Sequence, residues 1–438
     1  MGDENIGLFN SPIFTFNENI YVAFVQEDEQ QPGVYQTVVG KYSNNAWEFS
    51  VVEPHNMLNK YHAQPSLAVD TDGYIHVTYN MHSSPWQYSV SREPEDISTW
   101  EFRGQTLNGP HNKIESSYGF YTAEADIPGL RITYQTMHTD RNGKIYIAFR
   151  EAGIYSGVSY SKQRWSLGIA SYDVSTKTWS RVGPNPDVDT SALAQTFATE
   201  YDKRPQGAKI FFDVNNRMHV SWTWYAEYED DGSGHLEPNW ATYAYSDDGG
   251  MTFYRADNAP LTLPISIDQT DIIVPPSWLE PVDPTQGYFY AYTEINAMPN
   301  GTPYVWIMPK SGTRPGTGRA FCYRMPRGGW SQPILAPYGA TKFAIDDNGI
   351  ITFISSGIRI HRSYDNGRTW IQWEIDLTDG SYAHWVDYSY TPATGQLRFL
   401  AQSNSTGELR VYTVNFSDVV TSENESVKKT SSNVLLYR

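Results

Sequence analysis

Three stretches of this 438-residue chain end on paired polar or aromatic side chains at similar spacing. His62 and His82 stand 20 apart in YHAQPSLAVDTDGYIHVTYNMH. Tyr134 and Arg150 stand 16 apart in RITYQTMHTDRNGKIYIAFREAG, and Arg204 and Trp224 stand 20 apart in KRPQGAKIFFDVNNRMHVSWTW. A basic run follows, with Lys310, Arg314, Arg319, Arg324 and Arg327 and no acid between them, in a chain of net charge −17. Hydrolysis of a glycosidic bond normally uses two flanking carboxylates, and no carboxylate pair recurs at these stations. Elimination at a uronic acid needs different groups. A cation must neutralise the carboxylate, so that the proton on C-5 becomes acidic and the enolate-like intermediate is stabilised. A base must take that proton, and an acid must protonate the departing O-4. Histidines, a tyrosine and arginines supply that inventory, and the planar fork of arginine suits a carboxylate. Arg314 falls in a loop expected on the same rim, where it would add to an anion-binding wall.

The elements that must carry these stations follow from an internal repeat. A turn pair followed by an alternating apolar strand occurs seven times: NENIYVAF, TDGYIHVTY, RNGKIYIAF, VNNRMHVSW, PNGTPYVWI, DNGIITFIS and ATGQLRFLA. Asn-Gly, Asp-Gly and Asn-Asn pairs supply the positive φ of tight hairpins, and period two is the strand signature. A second phrase closes most units. Ser363 to Trp370 reads S-x-D-x-G-x-T-W, an Asp box, and Ser246 to Phe253 is a second good copy. Weaker relatives end in Trp47, Trp100, Trp179 and Trp330, and these aromatics are expected to pack between sheets. Seven such units predict an all-β fold, a seven-bladed β-propeller spanning residues 1–418, with a polar tail at 419–438. Two adjacent β-sandwiches are the competing architecture. In a propeller the inner strand of a blade runs along the channel and the next runs back. The start of the first and the end of the second therefore share one rim, which is where the paired stations fall. The strand around Phe14 to Val25 is expected to join the C-terminal strand, Leu409 to Phe416, in one blade that closes the ring.

Composition excludes other classes. The chain is 39% hydrophobic, 18% charged and 15% aromatic, which rules out disorder for the bulk. Its acidity argues against a nucleic-acid or anionic-membrane partner. One cysteine, Cys322, rules out an internal disulfide and a thiolate-rich metal site. No apolar run reaches the roughly 20 residues of a membrane span. The opening MGDENIGLFNS has no basic and apolar leader pattern, so no signal peptide is expected in this chain.

On these residues the chain resembles the BNR-repeat polysaccharide lyases built on seven-bladed propellers. That group includes ulvan lyases and rhamnose-α-1,4-glucuronate lyases acting on arabinogalactan and gum arabic. The likeness rests on His62 and His82, on Tyr134 in ITYQT and on Arg150 in AFREAG, and spans roughly residues 10–416. It implies that Tyr134 and one histidine act as acid and base and that Arg150 neutralises the uronate. Arg204, Trp224 and Arg314 are then substrate-binding candidates. An arginine at 204, with another near 314, looks more like the rhamnose–glucuronate lyases; an ulvan-type endo-lyase is the second reading. The long interval from His82 to Tyr134 departs from the pattern and suggests an insertion at Thr106–Ile127. The resemblance implies an anionic polysaccharide or oligosaccharide substrate, no catalytic cofactor, a structural calcium in many members, a monomer, and a secreted or periplasmic location. The acidic run Glu227–Glu237 offers hard ligands but reads more readily as a solvated loop, and no metal ligands are assigned. A sialidase-like hydrolase shares Asp boxes but would need a Tyr–Glu pair and an early F-R-I-P segment. A lectin-like propeller would leave the His, Tyr and Arg stations without a role.

Overall fold

In the computed structural model, the structure describes residues 10–55, 64–82, 84–104, 127, 132–152, 165–184, 193–195, 202–227, 236–273, 291–309, 319–355, 357–374, 382–403 and 407–416. Among these, seven antiparallel sheets form a ring, the seven-bladed β-propeller. The innermost strands are, in chain order, Ile13–Phe16, Ser66–Val69, Ile132–Thr139, Asp202–Phe212, Ala291–Ala297, Ala340–Ile345 and Tyr382–Val386. They define blades one to seven. Helix is confined to a single turn at Thr391–Thr394 and a 3-10 turn at Ile267–Gln269 among the described residues.

All seven repeat turns carry a residue with positive φ: Asn17 and Glu18, Gly73, Gly143, Asn216, Gly301, Gly349 and Gly395. Four of these turns are braced identically. The Oδ1 of Asp70 accepts the N–H groups of Asp72 and Tyr74, and Asp140, Asp213 and Asp346 do the same for residues two and four further on. This is the side-chain mimicry of a turn that makes aspartate favourable there. Two of the same aspartates also hold a buried histidine. His76 bonds Tyr88 Oη at 2.6 Å and Asp70 at 3.2 Å, and His219 bonds Tyr243 Oη at 2.7 Å and Asp213 at 3.3 Å. Burial holds both imidazoles below their ordinary pKa, against the pull of the aspartates. These histidines belong to the fold.

The blade-closing aromatics reach back to the preceding blade. Trp100 donates to Ser50 Oγ at 3.3 Å, and Trp179 donates to Tyr88 Oη at 3.1 Å. Trp330 lies edge-on to Tyr243, and Trp370 to Phe321 and Phe353. In both good Asp boxes the serine Oγ accepts the glycine N–H and the aspartate holds the threonine backbone and hydroxyl. Gly367 has φ 85°, and a Cβ there would stand 2.5 Å from the Phe321 ring of the neighbouring blade. Gly367→Ala should therefore destabilise the fold by about 1–3 kcal/mol, from overpacking and a left-handed backbone. Urea unfolding checks this; an unchanged midpoint would mean that the turn is not pressed against blade five.

The expected closure is corrected. Blade one builds all four of its strands from Ile13–Phe16, Asn19–Glu27, Tyr35–Ser43 and Ala46–His55. Leu409–Val414 is instead the third strand of blade seven, beside Leu397–Gln402. The ring closes through side chains. Ile13, Ile20, Val22 and Phe24 pack with Trp385, Leu400 and Val411, and Thr15 bonds Asp387, Ser389 and Arg398 across the seam. The sequence could not distinguish these solutions, since either leaves the same apolar strands buried. The proposed tail at 419–438 lies outside the described residues.

Candidate active site

The inner strand of blade three is irregular where the chemistry was expected. Thr136 pairs with Ala148 and Thr133 with Arg150, so Tyr134 and Gln135 together face Phe149 alone. This is a β-bulge, a device that re-aims a side chain. Tyr134 takes a left-handed backbone, φ 58°, which costs a large L-residue of order 1–3 kcal/mol and concentrates at functional sites. The Arg150 guanidinium lies 4.6 Å from the centroid of the Tyr134 ring. Both side chains are buried, at 8% and 5% exposure.

Blade two brings the His82 end of its second strand to the same rim. Ser84 and Ile132 form an antiparallel bridge between blades two and three, with Ile132 N–H donating to Ser84 O at 2.7 Å. Two residues back from Ser84 is His82, and two residues on from Ile132 is Tyr134. The antiparallel order thus brings His82 and Tyr134 to one level. His82 is half-buried and follows the second strand, Ile75–Thr78. His62 lies outside the described residues, as does Arg314. Arg204 lies on the inner strand of blade four with its backbone paired to Tyr225. Trp224 pairs with Pro205 on the next strand, but its ring is fully buried, edge-on to Trp222 in the blade-four core. It packs the core and presents no surface on the rim. The basic run is also divided. Arg319 donates to the Gly339 carbonyl at 3.3 Å, a packing contact with blade six. Arg324 follows the third strand, Ala320–Tyr323, on the opposite rim.

Sequence reasoning missed the residues that hold the bulge, Gln64, Ser66 and Gln135. It also missed a charged cluster farther down the channel. Lys209 and Lys342, on the inner strands of blades four and six, stand over the Trp385 ring at 4.6 and 5.1 Å. Lys342 pairs with Glu294 at 3.2 Å, and Tyr388 Oη donates to the same carboxylate at 3.4 Å. Among the described residues, the buried Lys209 Nζ has no hydrogen-bond partner. Burial pulls its pKa down to about 7; Glu294 opposes this and Lys342 adds to it. Burial, with Lys209 nearby, also pushes His138 down to about 3, so that imidazole stays neutral at ordinary pH.

The Lys209 shift has a sign that can be checked. An unfolded lysine titrates near 10.4, so between about pH 7 and pH 10 the unfolded chain binds the extra proton. Stability from this residue rises with pH through that window, by up to about 1.4 kcal/mol per pH unit, and is lowest below pH 7. Lys209→Met should flatten this rise, measured as the difference in urea stability between parent and variant from pH 6 to 9. Parallel curves would show that Lys209 is charged throughout.

A cavity of about 200 Å³ lies at the other end of the channel, lined by Phe14, Met137, His138, Phe212, Trp385 and Tyr388 among others. Arg141 spans that mouth, donating to Asp347 through both terminal guanidinium nitrogens at 3.1 and 2.8 Å and through Nε to the Asp213 carbonyl at 3.0 Å. The lining of the cavity runs from Ser11, Leu67 and Met137 to Asp140, Arg141 and Pro392. Among the described residues no three His, Cys, Asp or Glu side chains converge as metal ligands. The side chains of Glu227 and Glu237 are not among those described, and the acids between them lie outside the described residues. Among the described residues no helix is long and apolar enough to cross a membrane.

A seven-bladed ring of this kind, with its repeat turns and Asp boxes, is the architecture of BNR-repeat proteins. The chain belongs to the BNR repeat-containing family, whose model matches residues 19–336. Comparison with curated protein sequences finds no match. Among solved structures, the polysaccharide lyase Uly1 is similar with a TM-score of 0.67 and 12% identity, over 95% of this chain and 91% of its own. The Penicillium chrysogenum α-L-arabinanase complexed with arabinobiose has a TM-score of 0.42 and 11% identity, over 82% and 94%. At these identities the likeness concerns the fold.

Proposed function

We propose that the protein is a polysaccharide lyase that cleaves a 4-O-linked glucuronate by β-elimination. The observation that carries this reading is Tyr134, held in a left-handed backbone with the Arg150 guanidinium against its ring, on the rim that His82 also reaches. Arg150 neutralises the uronate carboxylate. Tyr134 or a histidine takes the C-5 proton, and the electron pair left behind forms the C-4=C-5 double bond. The C-4–O-4 bond breaks, and the departing oxygen receives a proton from the other member of the pair. The products are an unsaturated uronate at the new non-reducing end and a free hydroxyl on the leaving sugar. His62 completes the acid–base set in this reading.

The likeness to a polysaccharide lyase of known structure supports the reaction class. The finer choice, a rhamnose-α-1,4-glucuronate lyase acting at chain ends of arabinogalactan-type glycans, rests on Arg204 and Arg314. An ulvan-type endo-lyase is the second reading. Such substrates lie outside the cell, which is where the reading puts the protein. Incubation with gum arabic and with ulvan, followed by absorbance near 235 nm, tests the proposal. Elimination creates that absorbance, whereas hydrolysis or simple binding does not. A reducing-end increase without absorbance would replace the lyase by a hydrolase.

A further inference from the structure

The strand that carries Tyr134 is the inner edge of its sheet, and at the bulge side chains from other segments bond its free backbone groups. Ser66 Oγ donates to the carbonyl of Gln135 at 2.9 Å and accepts the N–H of Ser11 at 3.0 Å. Ser11 Oγ accepts the N–H of Met137 at 2.9 Å, just past the bulge. Gln135 Nε2 donates to the carbonyl of Gln64 at 3.1 Å, which Asn10 Nδ2 also approaches. Gln64 follows His62 by two residues. Ser66 and Gln135 have no exposed surface, and Gln64 and Ser11 are nearly as buried. Burial makes each of these bonds costly to leave unmade, and linked bonds strengthen one another.

We propose that Gln135 and Ser66 are positioning residues for the elimination reaction, fixing the backbone of the Tyr134 bulge and tying it to the segment that follows His62. The inference rests on the lyase reading given above. Ser66 sets the carbonyl plane at the bulge, and so the direction of the Tyr134 side chain. Gln135 sets the spacing between the tyrosine strand and Gln64. Neither touches substrate.

The test uses the whole chain carrying Ser66→Ala, Ser66→Thr or Gln135→Glu. Gln135→Glu keeps the shape and loses the donor when ionised; Gln135→Met, which cannot donate in any state, serves if the buried carboxyl prevents folding or stays protonated. Rates at 235 nm give kcat and KM, and amide exchange follows the peptide that contains residues 132–137. Ser66→Ala and Gln135→Glu should lower kcat by about 10- to 100-fold, the cost of a small misplacement of a reacting group. KM should stay within a few-fold, the pH optimum should shift, and exchange of the 132–137 peptide should rise. Ser66→Thr, which keeps the hydroxyl, should recover most of kcat. Unchanged kcat in folded variants, or a higher KM at constant kcat, would overturn the positioning role. If the parent yields no absorbance from either polysaccharide, the lyase reading falls by itself. Exchange still decides the tether: unchanged protection in Ser66→Ala refutes it, and a local rise around Tyr134 supports it.

Discussion

Tyr134→Phe should abolish most turnover while the protein stays folded and still binds its polysaccharide. The substitution removes one oxygen. The ring that lies under the Arg150 guanidinium remains, and the backbone at 134 keeps the same β-bulge, because its bracing runs through Gln135 and Ser66. What is lost is the group that can carry a proton. General acid–base residues contribute about 100- to 10,000-fold, and kcat at saturating substrate should fall by that amount with KM within a few-fold. The measurement is the 235 nm rate at saturation, with the melting temperature as the check on folding. Turnover within a few-fold of the parent would assign the proton to a histidine alone.

Arg150→Ala should cost about 100- to 1000-fold in kcat/KM, the usual effect of removing one donor that stabilises developing negative charge. The loss should exceed that from a peripheral arginine, because Arg150 is nearly enclosed and a charge acts more strongly where water is excluded. Arg150→Lys separates the two parts of its role. Lysine keeps the charge but loses the planar fork and the face that lies against the tyrosine. It should therefore recover only a minor part of the activity. Full recovery by lysine would reduce the role to net charge. Near-parent rates for a folded Arg150→Ala would remove the residue from the mechanism.

Blade number was legible because each turn is chemically local. Gly143 or Asn216 announces positive φ within a few residues of sequence, and the alternating strand follows at once. The meeting of the Tyr134 and Arg150 strand ends was legible for the same reason, since antiparallel hairpins fix which strand ends meet. Tyr134 and Arg150 are neighbours by hairpin geometry alone. The bulge beneath them was not legible. No glycine or turn pair marks it, and its left-handed residue is a tyrosine that propensity would place in a regular strand. Its support comes from Ser66 and Ser11, residues distant in the chain. Trp224 was misjudged through the same limit: it sits at the expected height in its blade, but strand alternation turns its ring into the core. Nothing in the sequence marks Lys209, because only the closed ring removes its water.

Among the described residues, each of the seven sheets is made from one run of the chain, and blades one and seven meet through side chains such as Thr15, Arg398 and Trp385. The order in which the blades are strung together is therefore topologically neutral. Cutting the chain between two other blades, and linking blade seven to blade one, would leave every hydrogen-bonded ladder whole. A ring sealed by a shared strand could not be re-cut in this way without splitting a sheet. The seam is thus a natural joint for circular permutation, and a place where a blade could be added or lost without rewriting its neighbours.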